Sequence, residues 1–188
     1  VFNSNPKYNR QKGGEGQYGH LAKYLAKNKD RIGSIMELGS GRGAVIRLFL
    51  RALVPGTKIL AVDLENFIHP ALHPKLEFFR SDITNPQERG HLPHDGMDVV
   101  VCIGVLEHIM LRDLEDVVSW IGSLRPNVGF AFMVANHSDI KNGHELHITK
   151  QDHAFWNALM DRHFEVVESS VVTLGGNDVF SYSCRVRS

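Results

Sequence analysis

The stretch Ser34-Ile35-Met36-Glu37-Leu38-Gly39-Ser40-Gly41-Arg42-Gly43, followed by Ala44-Val45-Ile46-Arg47, limits what this chain can fold into more than any other. A short apolar run ends in an acid, three glycines follow at alternate positions, and helix formers come next. The pattern predicts a strand, a tight turn and the start of a helix. Glycine lets a ligand approach the backbone closely, and a helix start presents N–H groups with no partner inside the helix. A dinucleotide-binding loop carries G-x-G-x-x-G after its strand. Here the glycines fall as G-x-G-x-G, with Glu37 two residues before the first. A carboxylate in that place repels a pyrophosphate and attracts an ammonium or a sulfonium. The loop therefore suits a cationic nucleoside better than an anionic dinucleotide.

The rest of the chain extends this unit. Residues 44–53 are apolar over most of a helical surface, which predicts a largely buried helix stopped by Val54-Pro55-Gly56. Lys58 to Val62 reads as a second buried strand ending at Asp63, about 20 residues after Gly43. That is the spacing at which an acid meets ribose hydroxyls in a βαβ unit, and a carboxylate accepts from both hydroxyls of a diol. Upstream, residues 17–29 carry Leu21, Tyr24 and Leu25 at helical spacing, with Tyr18 three residues before Leu21. Residues 1–16 are polar and Gly-rich and read as a flexible arm or lid.

Downstream, His69-Pro70 and His73-Pro74 argue against a long crossover helix, and both histidines read as surface residues. Leu76 to Arg80 is a third strand, and Asp82 after it is either a ligand contact or the cap of a turn. Residues 85–96 read as loop, and Met97 to Ile103 as the strongest buried strand. Glu107-His108 is expected to open a helix running through Trp120-Ile121. Val128 to Ala135 is a fifth strand, followed by a polar loop. Thr149 is then expected to cap a helix, with Asp152 three residues on and Phe155, Trp156, Leu159 and Met160 on its core face. The chain closes with a β-hairpin from Phe164 to Val186, turning at Gly175 to Asp178.

The acid before G-x-G-x-G, Asp63, the Val105-Leu106-Glu107-His108-Ile109 stretch and the closing hairpin resemble the class I S-adenosylmethionine-dependent methyltransferases. The resemblance spans residues 17 to 187. It implies an α/β fold: a doubly wound, seven-stranded, mostly parallel sheet with a C-terminal antiparallel hairpin and helices on both faces, in one domain over 17–188. It implies S-adenosyl-L-methionine (SAM) as cofactor and S-adenosyl-L-homocysteine (SAH) as product. Glu37, Gly39, Ser40, Gly41 and Gly43 would hold it at the loop, and Asp63 and Leu64 at the ribose. Asp82 would meet the adenine amino group and the Ile83 backbone N–H a ring nitrogen. The backbone at Ile103 and Gly104 would offer a carbonyl to the cofactor's amino group, and Tyr18 and His20 would touch its methionine end. On the acceptor side stand His108, His137, His144 and His147. Of these, His108, His144 and His147 are the expected catalytic residues, with His108 either a general base or a helix cap. The implied reaction moves a methyl group to an oxygen or nitrogen nucleophile, on a small-molecule acceptor.

Composition narrows the alternatives. With 188 residues the chain is long enough for one domain with a real core, and 43% apolar and 22% charged residues are ordinary for a globular protein. The formal net charge is zero, so no global field favours nucleic acid or an anionic membrane. No apolar run reaches the roughly 20 residues that span a bilayer, and no secretory signal is visible from Val1 onward. Cys102 and Cys184 lie far apart in apolar runs, which fits buried thiols and a cytoplasmic compartment. A group of small-RNA ribose 2'-O-methyltransferases binds a metal through E-x-x-E-H plus a further His. Glu107-His108 matches its second half, but Gly104 stands where the first Glu belongs, so no metal is expected. A nicotinamide-dependent Rossmann oxidoreductase is opposed by Glu37 and by the terminal hairpin. A non-catalytic module on the same fold would bind the cofactor and methylate nothing.

Overall fold

The computed structural model describes residues 18–93, 96–174 and 176–187. The expected arm, residues 1–16, lies outside them. Five short runs build the centre of the sheet: β1 (Ser34–Leu38), β2 (Lys58–Asp63), β3 (Glu77–Arg80), β4 (Val99–Ile103) and β5 (Gly129–Ala135). β1, β4 and β5 are buried over nearly every residue, as strands covered on both faces must be. Two-residue strands β6 (Ile140–Lys141) and β7 (His144–Glu145) pair with each other in a separate two-stranded sheet. The long strands β8 (Phe164–Leu174) and β9 (Asn177–Val186) complete a seven-stranded sheet of order β3-β2-β1-β4-β5-β9-β8. Neighbours among β1 to β5 run parallel, and β9 runs antiparallel to both β5 and β8. The doubly wound sheet with its antiparallel closing pair is thus present as the sequence predicts.

Alternate residues of each strand feed two separate cores. Ile35, Ile59, Ala61, Val99 and Val101 pack with Leu21, Leu25, Val45, Ile46 and Phe49 from α1 (Gly19–Asn28) and α2 (Ala44–Ala52). Met36, Leu60, Val62, Val100, Cys102 and Phe132 meet residues of two helices on the opposite face. Those are α4 (Leu111–Ser123), through Leu114, Val117 and Ile121, and α5 (His153–His163), through Trp156, Leu159 and Met160. A single turn, α3 (Pro86–Arg89), interrupts the loop expected over 85–96. Cys102 and Cys184 are both buried and free. Among the described residues, no helix is long and apolar enough to cross a membrane.

Three local expectations are corrected. Glu107 and His108 do not open α4. They sit in a separate 3-10 turn, Leu106–His108, and the chain is extended at Ile109 and Met110 before α4 begins. The cause lies elsewhere in the chain: the Thr149 N–H donates to the Glu107 carbonyl (3.0 Å) and the Thr149 hydroxyl to the Ile109 carbonyl. Thr149 is therefore not a helix cap. Asp152 caps α5 instead, accepting from the Phe155 N–H at 2.8 Å. The polar loop after β5 contains the β6–β7 ribbon, turned by Asn142-Gly143, a pair suited to two-residue hairpin turns.

Candidate functional site

Strand order reverses direction between β1 and β4, and in open α/β sheets ligands bind beyond the carboxyl ends of the strands at that point. A cavity of about 340 Å3 lies there, with Glu37, Asp63, Ile103 and Ala135 from the ends of β1, β2, β4 and β5 among the residues lining it. Its first wall is the glycine loop. The N–H groups of Gly39 and Ser40 both donate to the Val62 carbonyl (2.8 and 3.1 Å), which folds the loop back over β2. Gly41 N–H donates to Asp63 Oδ2 and Leu64 N–H to Asp63 Oδ1, each at 2.7 Å. The Asp63 carboxylate thus holds the loop at the cavity edge, and each of its oxygens retains a second lone pair.

Of the residues expected at the cofactor, Glu37, Gly39, Ser40 and Gly41 line this cavity from β1 and its loop. Asp63, Leu64, Asp82 and Ile83 line it from the ends of β2 and β3, and Ile103 and Gly104 from β4. Asp82 also serves its turn, accepting through Oδ1 from both the N–H and the hydroxyl of Thr84. Tyr18 lines the cavity. Gly43 does not: it sits at the start of α2 beside Leu72 and Ile68. His20 is also placed elsewhere, with Nε2 on the Ser183 hydroxyl at 2.8 Å, because α1 packs that ring against the closing hairpin.

The acceptor-side histidines divide in the same way. His108, His137 and His147 line the cavity. His144 is exposed on β7, opposite Lys141, and stands outside it. His147 meets His108 and His137 edge-on, with ring centroids 4.8 and 5.0 Å away. Burial lowers the pKa of His108 and of His137, so both rings favour the neutral form. Sequence reasoning left Glu107 off the site, yet its carboxylate lines the cavity and is 1% exposed. Burial pushes it up to about 7, against the opposing effect of backbone donors that include the Ala135 N–H at 3.0 Å. Its signal in the sequence was the Glu107-His108 pair, the half of a metal-binding motif noted above.

The cavity also gathers polar atoms that lack partners. Glu37 Oε2, Ser40 Oγ, Ser81 Oγ and Glu107 Oε2 are buried and find no hydrogen bond among the described residues. Buried polar atoms are almost always satisfied, so a cluster of orphans around one cavity marks a place where a ligand completes the bonding. Glu37 is the sharpest case. It is 2% exposed at the end of β1, and burial, with the Asp63 charge adding to it, pushes its carboxyl well above the usual range. A cation placed beside it relieves that penalty.

The fold has counterparts among known proteins. No curated protein matches the chain in sequence. Among solved structures, it is similar to a Burkholderia thailandensis 1,6-didemethyltoxoflavin-N1-methyltransferase crystallised with 1,6-didemethyltoxoflavin and SAH. The TM-score is 0.66 at 18% identity, over 92% of this chain and 80% of that one. It is similar to the magnesium protoporphyrin IX methyltransferase of Synechocystis PCC 6803 with bound SAH, at TM-score 0.61 and 13% identity, over 89% and 81%. It is also similar to an N,N-8-amino-8-demethyl-D-riboflavin dimethyltransferase of Streptomyces davawensis, at TM-score 0.60 and 20% identity. That alignment covers 90% of this chain but only 55% of that protein. Residues 9–171, most of the sequence, match the methyltransferase domain family, and by that match the chain belongs to it.

Proposed function

We propose that this chain transfers the methyl group of SAM to an oxygen or nitrogen of a small molecule, in the cytoplasm. One observation carries the reading: a single cavity runs from Asp63 and Asp82, past Glu37 and the glycine loop, to His108 and His147. Acids at one end suit a nucleoside, the buried Glu37 suits a positive sulfur, and the histidines suit the removal of a proton from an acceptor. A sulfonium methyl is already electrophilic. The protein has to hold the nucleophile in line, about 3 Å away, and take a proton where the nucleophile is O–H. The neighbours named above act on small heterocycles and a porphyrin, which supports a small-molecule acceptor. The free thiols Cys102 and Cys184 suit a reducing compartment.

Calorimetry with SAM, SAH and NAD tests this. SAM and SAH are expected to bind and NAD to give no heat; the reverse order ends the reading. Asp63→Ala is expected to weaken SAM by about tenfold or more, since it removes a ribose acceptor and frees the Gly41 N–H it now holds. Unchanged affinity would take Asp63 off the ribose.

Glu37 adds a pH dependence. With the site empty, its raised pKa favours the proton-bound form; a neighbouring sulfonium favours the anion, so binding expels a proton. SAM affinity therefore falls as pH drops below the free-state pKa of Glu37 and levels off above it. The expected result is a monotonic loss of affinity on acidification, and an affinity that does not change with pH would take Glu37 away from the sulfonium. Glu37→Gln should flatten the profile, and calorimetry in buffers of different ionisation enthalpy counts the proton directly.

A further inference from the structure

Glu107, His108 and His147 each offer one ligand-type atom, and these atoms all lie within 4.8 Å of one another. The residues come from two segments far apart in sequence, the 3-10 turn after β4 and the strap between β7 and α5. Three further observations bear on what this cluster does. Glu107 Oε1 accepts from the Ala135 N–H, but the buried Oε2 has no partner among the described residues. His108 Nδ1 is 2.8 Å from the Leu146 carbonyl, and His147 Nδ1 is 2.7 Å from the His137 carbonyl. A carbonyl only accepts, so each Nδ1 carries the hydrogen, and Nε2 is the nitrogen of each ring that can act as a ligand. Backbone carbonyls that fix the tautomer of two histidines in this way are the outer support found around metal-binding imidazoles.

We infer that Glu107, His108 and His147 form a site for one divalent first-row metal ion, held by two imidazole Nε2 atoms and one carboxylate oxygen, in the acceptor half of the cavity. Two nitrogens and an oxygen suit Zn2+, Co2+ or Mn2+ rather than Ca2+ or Mg2+. Ligands sharing one such ion stand no more than about 4.2 Å apart, so binding draws in any separation longer than that. Three protein ligands leave a position open, and because all three residues line the cavity, an oxygen of the acceptor fills it; with both Nε2 atoms on the ion, His137 on the same cavity is left to take the acceptor's proton. Acceptors with a hydroxyl or carboxylate beside the methylated atom are therefore preferred. The set makes no use of position 104, so the glycine there does not weaken it. The competing account is a purely structural one, in which the two rings merely pack around a buried acid and no cation is bound.

The test uses the full chain, stripped with a chelator and titrated with Co2+ alone. The visible absorption of the bound ion and equilibrium dialysis with elemental analysis are read together. One ion per chain is expected, with affinity lowered about tenfold or more in both His147→Gln and Glu107→Gln, and unchanged in His144→Gln on the exposed ribbon. Far-UV circular dichroism shows which variants are folded, and one folded variant of the first two decides the matter. No cobalt band in the parent chain, or equal affinity in parent and folded variant, overturns the site. SAH affinity in the same samples separates this inference from the one before it. SAH binding without cobalt removes only the metal, and cobalt binding without SAH removes only methyl transfer.

Discussion

Gly129→Ala is expected to cost the chain roughly 4 kcal/mol or more, a large part of the stability of an ordinary domain. Gly129 begins β5 at φ 146, where β9 crosses closest. A Cβ there would lie 2.2 Å from the Cys184 carbonyl oxygen and 3.0 Å from the Tyr24 hydroxyl. The first neighbour is backbone and cannot rotate away. Relief requires β9 to move off β5, which breaks the pairing that starts at Phe130 and Cys184 and loosens the Phe130 side of the core. For a chain of this size such a loss lowers the melting temperature by about 10–15 °C. Thermal melts of the parent and the variant measure it, with Gly19→Ala as a control in open space on α1. A drop of less than about 3 °C would mean that β9 tolerates the shift.

Gly39→Ala is expected to act on binding rather than on folding. Gly39 has φ 76, and a Cβ there would stand 2.1 Å from Val105 Cγ2. Val105 lines the cavity on the loop after β4, and a β-branched side chain has few rotamers to retreat into. Either Val105 swings into the ligand space or the glycine loop lifts away from the Val62 carbonyl it now grips. Both outcomes spoil this wall of the cavity, and on the proposed function SAM affinity should fall about a hundredfold, close to 3 kcal/mol. The double variant Gly39→Ala, Val105→Ala removes the clash but keeps the strained φ, so it should recover part of the affinity. Calorimetry that finds less than about a threefold loss in the single variant would show that the loop adapts at little cost.

These two glycines differ in how far they could be read in advance. Gly39 belongs to a strand, loop and helix whose residues are contiguous, so the requirement for a small residue is written within a few positions of the chain. Nothing near Gly129 in sequence announces the carbonyl of Cys184, 55 residues later. The histidines divide along the same line. Three of them, His137, His144 and His147, follow β5 within a short polar stretch, and local pattern does not choose among them. The β6–β7 ribbon leaves His144 exposed, while the bonds from Thr149 to the carbonyls of Glu107 and Ile109 bring the strap carrying His147 to the turn carrying His108. The same bonds end the turn at His108 and delay α4.

What the amino-acid order determined unaided was the α/β plan: the apolar strands, the glycine loop, and the acids at strand ends that face one cavity. Periodicity and turn chemistry act over a few residues, and each of those features is carried within such a span. Tertiary structure alone decided that Glu107 is buried with an oxygen that finds no partner among the described residues, that His108 and His147 meet, and that His20, Gly43 and His144 stand elsewhere. Those outcomes depend on which carbonyl a distant donor takes and which face a neighbouring segment covers. Both are set only when the whole sheet closes.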